Sequence, residues 1–381
     1  MKFQTIYFVA GEVSADNHGA ALMRSLRELD GKLNFVGRGG PQMQEIAGEQ
    51  FKNWIGEAAV LGLWEVLRKY GYFRGQFHET LHEIQENNPD AVVLIDYPGF
   101  NLRLARALRR QAPRQKIINY ISPQVWAWNR GRIKRMAHFV DLVLCIFPFE
   151  ADLYNHAGLR AVFVGHPMIE RLQARKIDTE RDPNLIGLFP GSRSREVRKI
   201  FPVMLETAHE LRKHSPNLRF EVAAASEQLA CEMKPAVADL DQSQDRGAIQ
   251  IKVGAAAAIM QRAWAGIVAS GSATLEAAYF RLPFVLIYKV AWPTYVAGRL
   301  VVKVKYLGMP NLLADKEVVP EFIQYHANPN AIANAVRSLV EDARTRDRMI
   351  SAFDEVISKL GGRGASDRAA RAIIEEIGSA T

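Results

Sequence analysis

The sequence predicts an α/β fold of two doubly wound domains, each built on a parallel sheet with helices on both faces. Short apolar runs alternate with stretches of helical periodicity along the whole 381-residue chain. The runs are continuously apolar, which is typical of strands buried on both faces of a parallel sheet. A chain of this length is also longer than a domain with a single hydrophobic core usually is, and it suits two domains of about 150 to 200 residues each.

The predicted strands form two sets that are separated by a charged segment. Residues 170–184 (ERLQARKIDTERDPN) contain few apolar residues and carry an Asp-Pro pair near their end, as expected for a linker. After residue 329 the pattern is helical only. We therefore expect domains at 1–172 and 173–345. The predicted strands are 5–11, 33–37, 91–96, 116–120, 141–147 and 161–166 in the first set, and 185–191, 218–224, 249–253, 265–270 and 283–288 in the second.

Composition narrows the class of protein. Apolar residues make up 48% and charged residues 24%, as in ordinary soluble proteins, and no apolar run approaches the roughly 18 residues of a membrane span. Two cysteines, Cys145 and Cys231, predict neither a disulfide framework nor a zinc site and favour a reducing cytoplasm. The net charge of +8 is compatible with phosphorylated ligands, anionic membranes or nucleic acid. Nucleic acid is disfavoured, because zinc-finger spacing, an RNA-recognition signature and a long basic block are all missing.

Ligands of open parallel sheets bind beyond the carboxyl ends of the strands, so the loops after the predicted strands are the candidate sites. After the first strand, Glu12, Ser14 and Asp16 are placed to reach a sugar, although Ser14 or Asp16 could equally cap the next helix. Asp96 ends strand 91–96 and is expected to face a cleft between the domains. Desolvation there would raise its pKa towards that of a general base, whereas the alternative is that it caps a helix or orders the turn.

A further loop of the first domain combines tryptophans with cations. The stretch YISPQVWAWNRGRIKRM (120–136) could stack Trp126 on a sugar ring and hold a phosphate with Arg132. The alternative is that Trp126 packs in the interior while the basic run is a solvated helix face.

Two loops of the second domain suit a diphosphate. Gly191, Ser192 and Arg193 turn sharply out of the strand at 185–191, where backbone N–H groups and a guanidinium would bind an anion. The small residues of the loop after 265–270 let a phosphate approach closely, and Glu276 lies about one helical turn further, at the distance of a ribose. The competing interpretations are a solvated helix face around Arg193 and a capping role for Ser272. The residues of the second loop are Ser270, Gly271 and Ser272.

An unusually apolar segment, residues 54–77, also carries cations. Such a segment suits a membrane interface, although an amphipathic core helix would show the same composition. The residues expected to contact the membrane are Leu61, Leu63, Trp64, Leu67, Arg68 and Lys69.

These motifs together resemble lipid A disaccharide synthase, a family of inverting bacterial glycosyltransferases with two Rossmann-like domains facing across a cleft (the GT-B type). The resemblance runs through nearly the whole chain and rests most firmly on SPQVWAW, PGSRSREV and PNLLA. Three motifs depart from the family's usual form: Ala15 stands where the family usually has glycine, Gly99 where it often has aspartate, and Asn129 where it commonly has a cation.

The resemblance implies a reaction. A 2,3-diacylglucosamine unit passes from UDP to the 6-hydroxyl of 2,3-diacylglucosamine 1-phosphate, with inversion and release of UDP. Asp96 would then be the base, the two diphosphate loops and Glu276 would hold UDP, and Asn311 in MPNLLA would contact the donor. Glu12, with the other first-domain loop residues named above, would line the acceptor side.

The resemblance also implies several properties beyond the reaction. We expect no metal and no cofactor, since no DxD-type pair lies in a suitable loop and this class of transferase generally works without metal. Helices at 346–381 are expected to complete the first domain, and a homodimer is compatible with the family. The lipid substrates imply peripheral attachment to the cytoplasmic face of the inner membrane. The alternatives are a soluble UDP-sugar enzyme, such as a UDP-N-acetylglucosamine 2-epimerase, or an inactive nucleotide-sugar-binding protein.

Overall fold

The chain divides into two compact units. The computed structural model describes residues 4–58, 70–127, 131–241, 248–292, 295 and 304–378. Unit 1 contains the residues up to Pro167 together with those from Leu360 onwards, and unit 2 runs from Met168 to Lys359. The boundaries predicted from the sequence lie at residues 172 and 346.

Unit 1 is built on a seven-stranded parallel sheet with the strand order β3-β2-β1-β4-β5-β6-β7. Its core strands consist almost wholly of buried apolar residues, which is why they appear as continuous apolar runs. The strands are β1 Thr5–Ala10, β2 Asn34–Gly39, β3 Phe51–Asn53, β4 Ala91–Ile95, β5 Lys116–Tyr120, β6 Leu142–Cys145 and β7 Ala161–Phe163. The helices described in the N-terminal part of this unit are α1 Val13–Leu29, α2 Pro41–Ala47, α3 Ile55–Ala58, α4 Tyr70–Asn87, α5 Pro98–Gln111, α6 Gly131–Met136 and α7 Pro148–His156.

Unit 2 is built on a six-stranded parallel sheet with the strand order β10-β9-β8-β11-β12-β13. The strands are β8 Asp182–Phe189, β9 Arg219–Ala224, β10 Ile249–Val253, β11 Ala263–Ala269, β12 Phe284–Tyr288 and β13 Glu321–Ile323. The helices described are α8 Met168–Gln173, α9 Ser194–His214, α10 Glu227–Asp241, α11 Ala256–Arg262, α12 Ala273–Tyr279, α13 Met309–Ala314, α14 Pro329–Glu341 and α15 Ala343–Ser358.

The last helix, α16 (Ala365–Gly378), belongs to unit 1 and packs against α1. Its nearly buried carboxylate Glu376 binds two cations at the strand ends, with Oε1 2.7 Å from Lys116 Nζ and Oε2 2.5 Å from Arg160 Nη1. At its other end, Ser25 Oγ donates to Asp367 Oδ1 at 2.6 Å. The preceding helix α15 lies in unit 2, so the chain returns to unit 1 only after residue 359.

The predicted fold class is confirmed by these two parallel sheets. Strands β3 and β13 were missed, because each has only three residues and neither forms a continuous apolar run. Within the described ranges, no helix is both long and apolar enough to cross a membrane.

Candidate functional site

In unit 1 the candidate site begins where β1 and β4 end side by side. These strands pair in parallel with Ala10 opposite Ile95, so the loops that follow them are neighbours. The contact is close: a Cβ atom on Gly11 would lie 2.5 Å from Tyr97 Cδ1, so only glycine fits beneath this ring. Loop residues 11–12 and 96–97 therefore form one packed edge of the sheet.

Asp96 and Tyr97 form a sharp elbow at this edge. Both adopt the left-handed backbone conformation, with φ of 47° and 50°, which costs free energy in residues that carry a Cβ. The fully buried Asn101 holds the elbow, since its Nδ2 donates to the carbonyl of Asp96 at 2.7 Å and to that of Ile95 at 3.2 Å. Strain held in this way by the surroundings is a common feature of functional sites.

The elbow places Asp96 in an environment that favours proton uptake. Burial raises the pKa of its carboxyl group, and the nearby negative charge of Glu12 raises that pKa further. The same two causes raise the pKa of Tyr97 to about 12. Glu12 itself is exposed, as is Ser14, so both remain accessible to a ligand. A carboxyl group with a raised pKa at a strand end is of the kind that enzymes use as general bases.

Aromatic rings support the elbow from one side. The nearly buried Trp54 donates from Nε1 to the carbonyl of Ala10 at 2.6 Å and packs edge-on against Phe100, with ring centroids 5.2 Å apart. Tyr97 contacts both rings, and its centroid lies 6.3 Å from that of Trp54 and 6.0 Å from that of Phe100. These rings fix the orientation of the loop that carries Asp96.

Asp16, expected on the acceptor side, has a structural role instead. Its side chain is buried and accepts three backbone N–H groups at the start of α2: Gly40 at 3.0 Å, Gln42 at 3.1 Å and Met43 at 3.0 Å. Asp16 therefore caps the N-terminus of a neighbouring helix, which is the preferred place for a carboxylate.

Trp126 is likewise inside the protein, so the expected stacking on a sugar ring does not fit. Its Nε1 donates to Oε1 of the fully buried Glu150 at 2.8 Å, and its ring packs edge-on against Phe149. Burial raises the pKa of Glu150 to about 7, although the bond from Trp126 opposes this shift. The interior-packing interpretation of Trp126 is the one that the structure supports.

Arg132 remains partly accessible on α6. Partial burial lowers its pKa, and the positive charges of Arg135 and Arg103 lower it further. The three guanidinium groups therefore form a basic patch, which suits a phosphate.

In unit 2 the two predicted anion loops also meet. Strands β8 and β11 are adjacent and parallel, and a Cβ atom on Gly191 would lie 3.8 Å from that of Ala269. Gly191 and Gly271 have φ values of 105° and 148°, a backbone region that favours glycine. Ser192 and Ser272 are exposed and Ser270 is partly buried, so the rim of both loops is open to a ligand.

Arg193 has a partner on its own helix. Its Nη1 lies 3.1 Å from Glu196 Oε1, while its side chain remains 69% exposed and so can still reach an anion. Tyr288 lies close to both groups: burial and the charge of Glu196 raise its pKa, and Arg193 lowers it. Glu196 connects this guanidinium to the Gly191 turn, since a Cβ atom on Gly191 would lie 3.3 Å from Glu196 Oε2.

Glu276 also has an internal partner. The carboxylate on α12 accepts a hydrogen bond at Oε1 from Arg171 Nη2 on α8, at 2.7 Å. Its side chain is mostly buried, at 16% exposure, which limits the directions in which it can point.

Asn311, the expected donor contact, is fully buried and saturated with hydrogen bonds. Its Oδ1 accepts from the N–H groups of Val318 and Val319, and its Nδ2 donates to the carbonyl of Val319 and to Glu321 Oε1. Glu321 in turn accepts from the N–H groups of residues 307 and 308 at 3.0 and 2.9 Å. Asn311 therefore positions the chain around residue 308 and does not itself face a ligand in this structure.

Within the part of the chain that the structure describes, no three His, Cys, Asp or Glu side chains form a group that could hold a metal ion. The expected membrane-contact residues lie outside the described residues: Leu61, Leu63, Trp64, Leu67, Arg68 and Lys69.

Several residues of the site were not found from sequence. Asn101 follows the elbow by one helical turn, a position that could have been recognised as a side-chain partner of the loop. Trp54 and Arg171 are distant in sequence from the groups that they contact, so no local pattern pointed to them.

Comparison with known proteins gives a consistent result. The family model described as lipid-A-disaccharide synthetase matches residues 6–373. The lipid-A-disaccharide synthase of Geobacter sulfurreducens is 39% identical, over 98% of this chain and 97% of that protein. The enzyme of the same name from Myxococcus xanthus is 35% identical, over 97% of each chain.

Solved structures share the fold at low sequence identity. The UDP-GlcNAc 2-epimerase of Neisseria meningitidis bound to UDP-GlcNAc is 12% identical, with a TM-score of 0.62 over 98% of this chain and 100% of that one. MurG of Acinetobacter baumannii is also 12% identical, with a TM-score of 0.57 over 98% and 99%. These similarities establish the two-domain GT-B fold alone.

Proposed function

Since this chain belongs to the lipid-A-disaccharide synthetase family, we propose that unit 1 binds its lipid acceptor and unit 2 its UDP-sugar donor. The chain is a glycosyltransferase that forms the disaccharide of lipid A. The sugar transferred is 2,3-diacylglucosamine, and the acceptor is the 6-hydroxyl of 2,3-diacylglucosamine 1-phosphate. The β-1,6-linked disaccharide 1-phosphate and UDP are the products.

The donor is held by the two glycine turns of unit 2. Gly191 and Gly271 let the diphosphate approach the backbone closely, and Ser192 and Ser272 offer hydroxyl donors at the exposed rim. Arg193 supplies the positive charge, exchanging its bond to Glu196 for a bidentate contact with phosphate. The lone pairs of the Glu276 carboxylate that Arg171 does not occupy accept hydrogen bonds from the ribose hydroxyls.

Asp96 acts as the general base. It takes the proton of the acceptor's 6-hydroxyl while that oxygen attacks the anomeric carbon of the donor. The bond from this carbon to the UDP oxygen breaks in the same step, and UDP leaves with the electron pair. Because the acceptor oxygen attacks from the opposite face, the configuration at the anomeric carbon is inverted. Arg193 stabilises the charge that develops on the leaving diphosphate. We rest this step on the half-buried position of Asp96, where burial and Glu12 raise its pKa.

The acceptor is bound by the exposed side of the unit 1 loops. Glu12 and Ser14 face its sugar ring, and the basic patch of Arg132, Arg103 and Arg135 suits its 1-phosphate. Both substrates carry acyl chains and therefore reside in a bilayer. We accordingly place the enzyme at the cytoplasmic face of the inner membrane, attached peripherally through segment 61–69, whose composition suits a membrane interface.

Mass spectrometry of the products tests this function. The protein is mixed with UDP-diacylglucosamine and diacylglucosamine 1-phosphate in detergent micelles, and the expected product is the acylated disaccharide phosphate with equimolar UDP. Asp96→Asn should lower turnover by at least about 100-fold, the usual contribution of a general base. Asp152→Asn, an exposed position of the same unit, is the matched control. Consumption of the UDP-sugar without a disaccharide would instead indicate epimerisation or hydrolysis.

A further inference from the structure

We infer that Arg171 is a positioning residue for UDP: it fixes the Glu276 carboxylate in the orientation that accepts the ribose hydroxyls. The inference rests on the proposed contact between Glu276 and the ribose. It starts from the ion pair in which Arg171 Nη2 lies 2.7 Å from Glu276 Oε1. Arg171 lies on α8, the first helix of unit 2, and α8 packs against α12, which carries Glu276.

The hydrogen-bonding capacity of the carboxylate leaves room for both partners. An ionised carboxylate accepts about four hydrogen bonds, and Arg171 occupies one position on Oε1. The remaining positions can accept the two ribose hydroxyls at the same time. Because a glutamate side chain otherwise samples several rotamers, a guanidinium that holds it removes the entropy loss that ligand binding would incur.

The ion pair of Arg171 and Glu276 is more buried than that of Arg281 and Asp354 in the same unit. The Glu276 side chain is 16% exposed and that of Arg171 47%. The pair of Arg281 and Asp354 is 60% and 49% exposed, and exposed pairs of that kind contribute little. Arg281→Gln is therefore a matched control, since it removes one arginine–carboxylate pair from a position just after α12.

Isothermal titration calorimetry with UDP and 2′-deoxy-UDP tests the inference on the full-length protein. The wild type should prefer UDP by roughly 10-fold, as expected from one hydrogen bond to a charged group. Arg171→Gln should reduce this preference to below about 3-fold, through weaker binding of UDP and little change for 2′-deoxy-UDP. Arg171→Lys, which can still reach the carboxylate, should retain part of the preference, and Arg281→Gln should retain all of it.

The outcomes separate this inference from the function on which it rests. If Arg171→Gln keeps the wild-type preference, Arg171 does not orient Glu276 and the inference is overturned. It is also overturned if the affinities for UDP and 2′-deoxy-UDP fall by the same factor, because Arg171 would then act away from the ribose. If the wild type shows no preference and Glu276→Gln binds UDP unchanged, the proposed ribose contact is wrong and the inference falls with it.

Discussion

Asp16→Ala removes the carboxylate that accepts the N–H groups of Gly40, Gln42 and Met43. These groups start α2, and without Asp16 two of the three bonds leave donors in a buried environment. A hydrogen bond to a charged group contributes about 1.5–3 kcal/mol to stability. The loss of all three bonds costs less than three times this value, because water and small movements of the backbone partly satisfy the freed N–H groups. We therefore expect the free energy of unfolding to fall by about 3–5 kcal/mol, a large share of a typical domain's 5–15 kcal/mol.

Asp16→Asn gives a graded comparison. The amide oxygen can keep the bonds to the N–H groups of Gly40 and Met43, but its NH₂ group would face the N–H of Gln42. The loss should be about half of that in the alanine variant. Ser14→Ala, at an exposed position in the first turn of the same helix, α1, should change the free energy of unfolding by less than about 0.5 kcal/mol.

Urea unfolding followed by circular dichroism measures the three free energies, and hydrogen exchange of residues 41–47 reports α2 directly. Because Asp16 is only 2% exposed, the KM for the acceptor should stay near the wild-type value in folded Asp16→Asn. The capping role would be refuted by an alanine variant of wild-type stability and a raised KM for the acceptor, the pattern of a binding residue.

Three further predictions concern the same unit. Glu12→Gln should lower the pKa of Asp96, because it removes the negative charge that raises it. Since the base must be deprotonated, the acidic limb of the profile of kcat/KM against pH should move to lower pH. An unmoved limb would show that Glu12 does not influence Asp96. Asn101→Ala should lower kcat by about 10-fold or more while UDP binds as before, since the elbow at Asp96 loses its support; unchanged kcat would show that the elbow holds itself. Burial raises the pKa of Glu150 from its ordinary 4.5 to about 7, so the folded protein binds more protons than the unfolded chain in that range. The free energy of unfolding should therefore fall as pH rises from 5 to 7, and the decline should be shallower in Glu150→Gln; equal slopes would contradict it.

The fold was predictable because its main signal is local. A strand buried on both faces must be continuously apolar, so β4 and β12 can be recognised from five residues each. Strands β3 and β13 lack this signal, since they have three residues and are not fully buried. Each forms only by pairing with the strand beside it at the edge of its sheet, β2 for β3 and β12 for β13.

The site was predictable only in part, for a related reason. The rule that ligands bind at the carboxyl ends of parallel strands singled out the loops of Asp96, Arg193 and Gly271, and each of these loops does follow a strand end in the structure. It does not tell whether a polar side chain in such a loop faces solvent or another loop. Asp16 and Trp126 each bind a partner 24 residues or more away in sequence, and no local pattern encodes those contacts.

Burial and the type of partner separate these polar residues into two groups. Asp16, Asn101 and Asn311 are buried and bind the backbone of a loop or of a helix start, so their hydrogen bonds hold the chain. A residue that contacts a ligand must keep capacity available, or hold it in a bond that the ligand can replace. Arg193 meets the second condition, because its exposed bond to Glu196 is weak enough to exchange for phosphate. Mutation of a buried residue that holds the chain, such as Asp16, should therefore lower stability, whereas mutation of an exposed residue such as Arg193 should change affinity or rate alone.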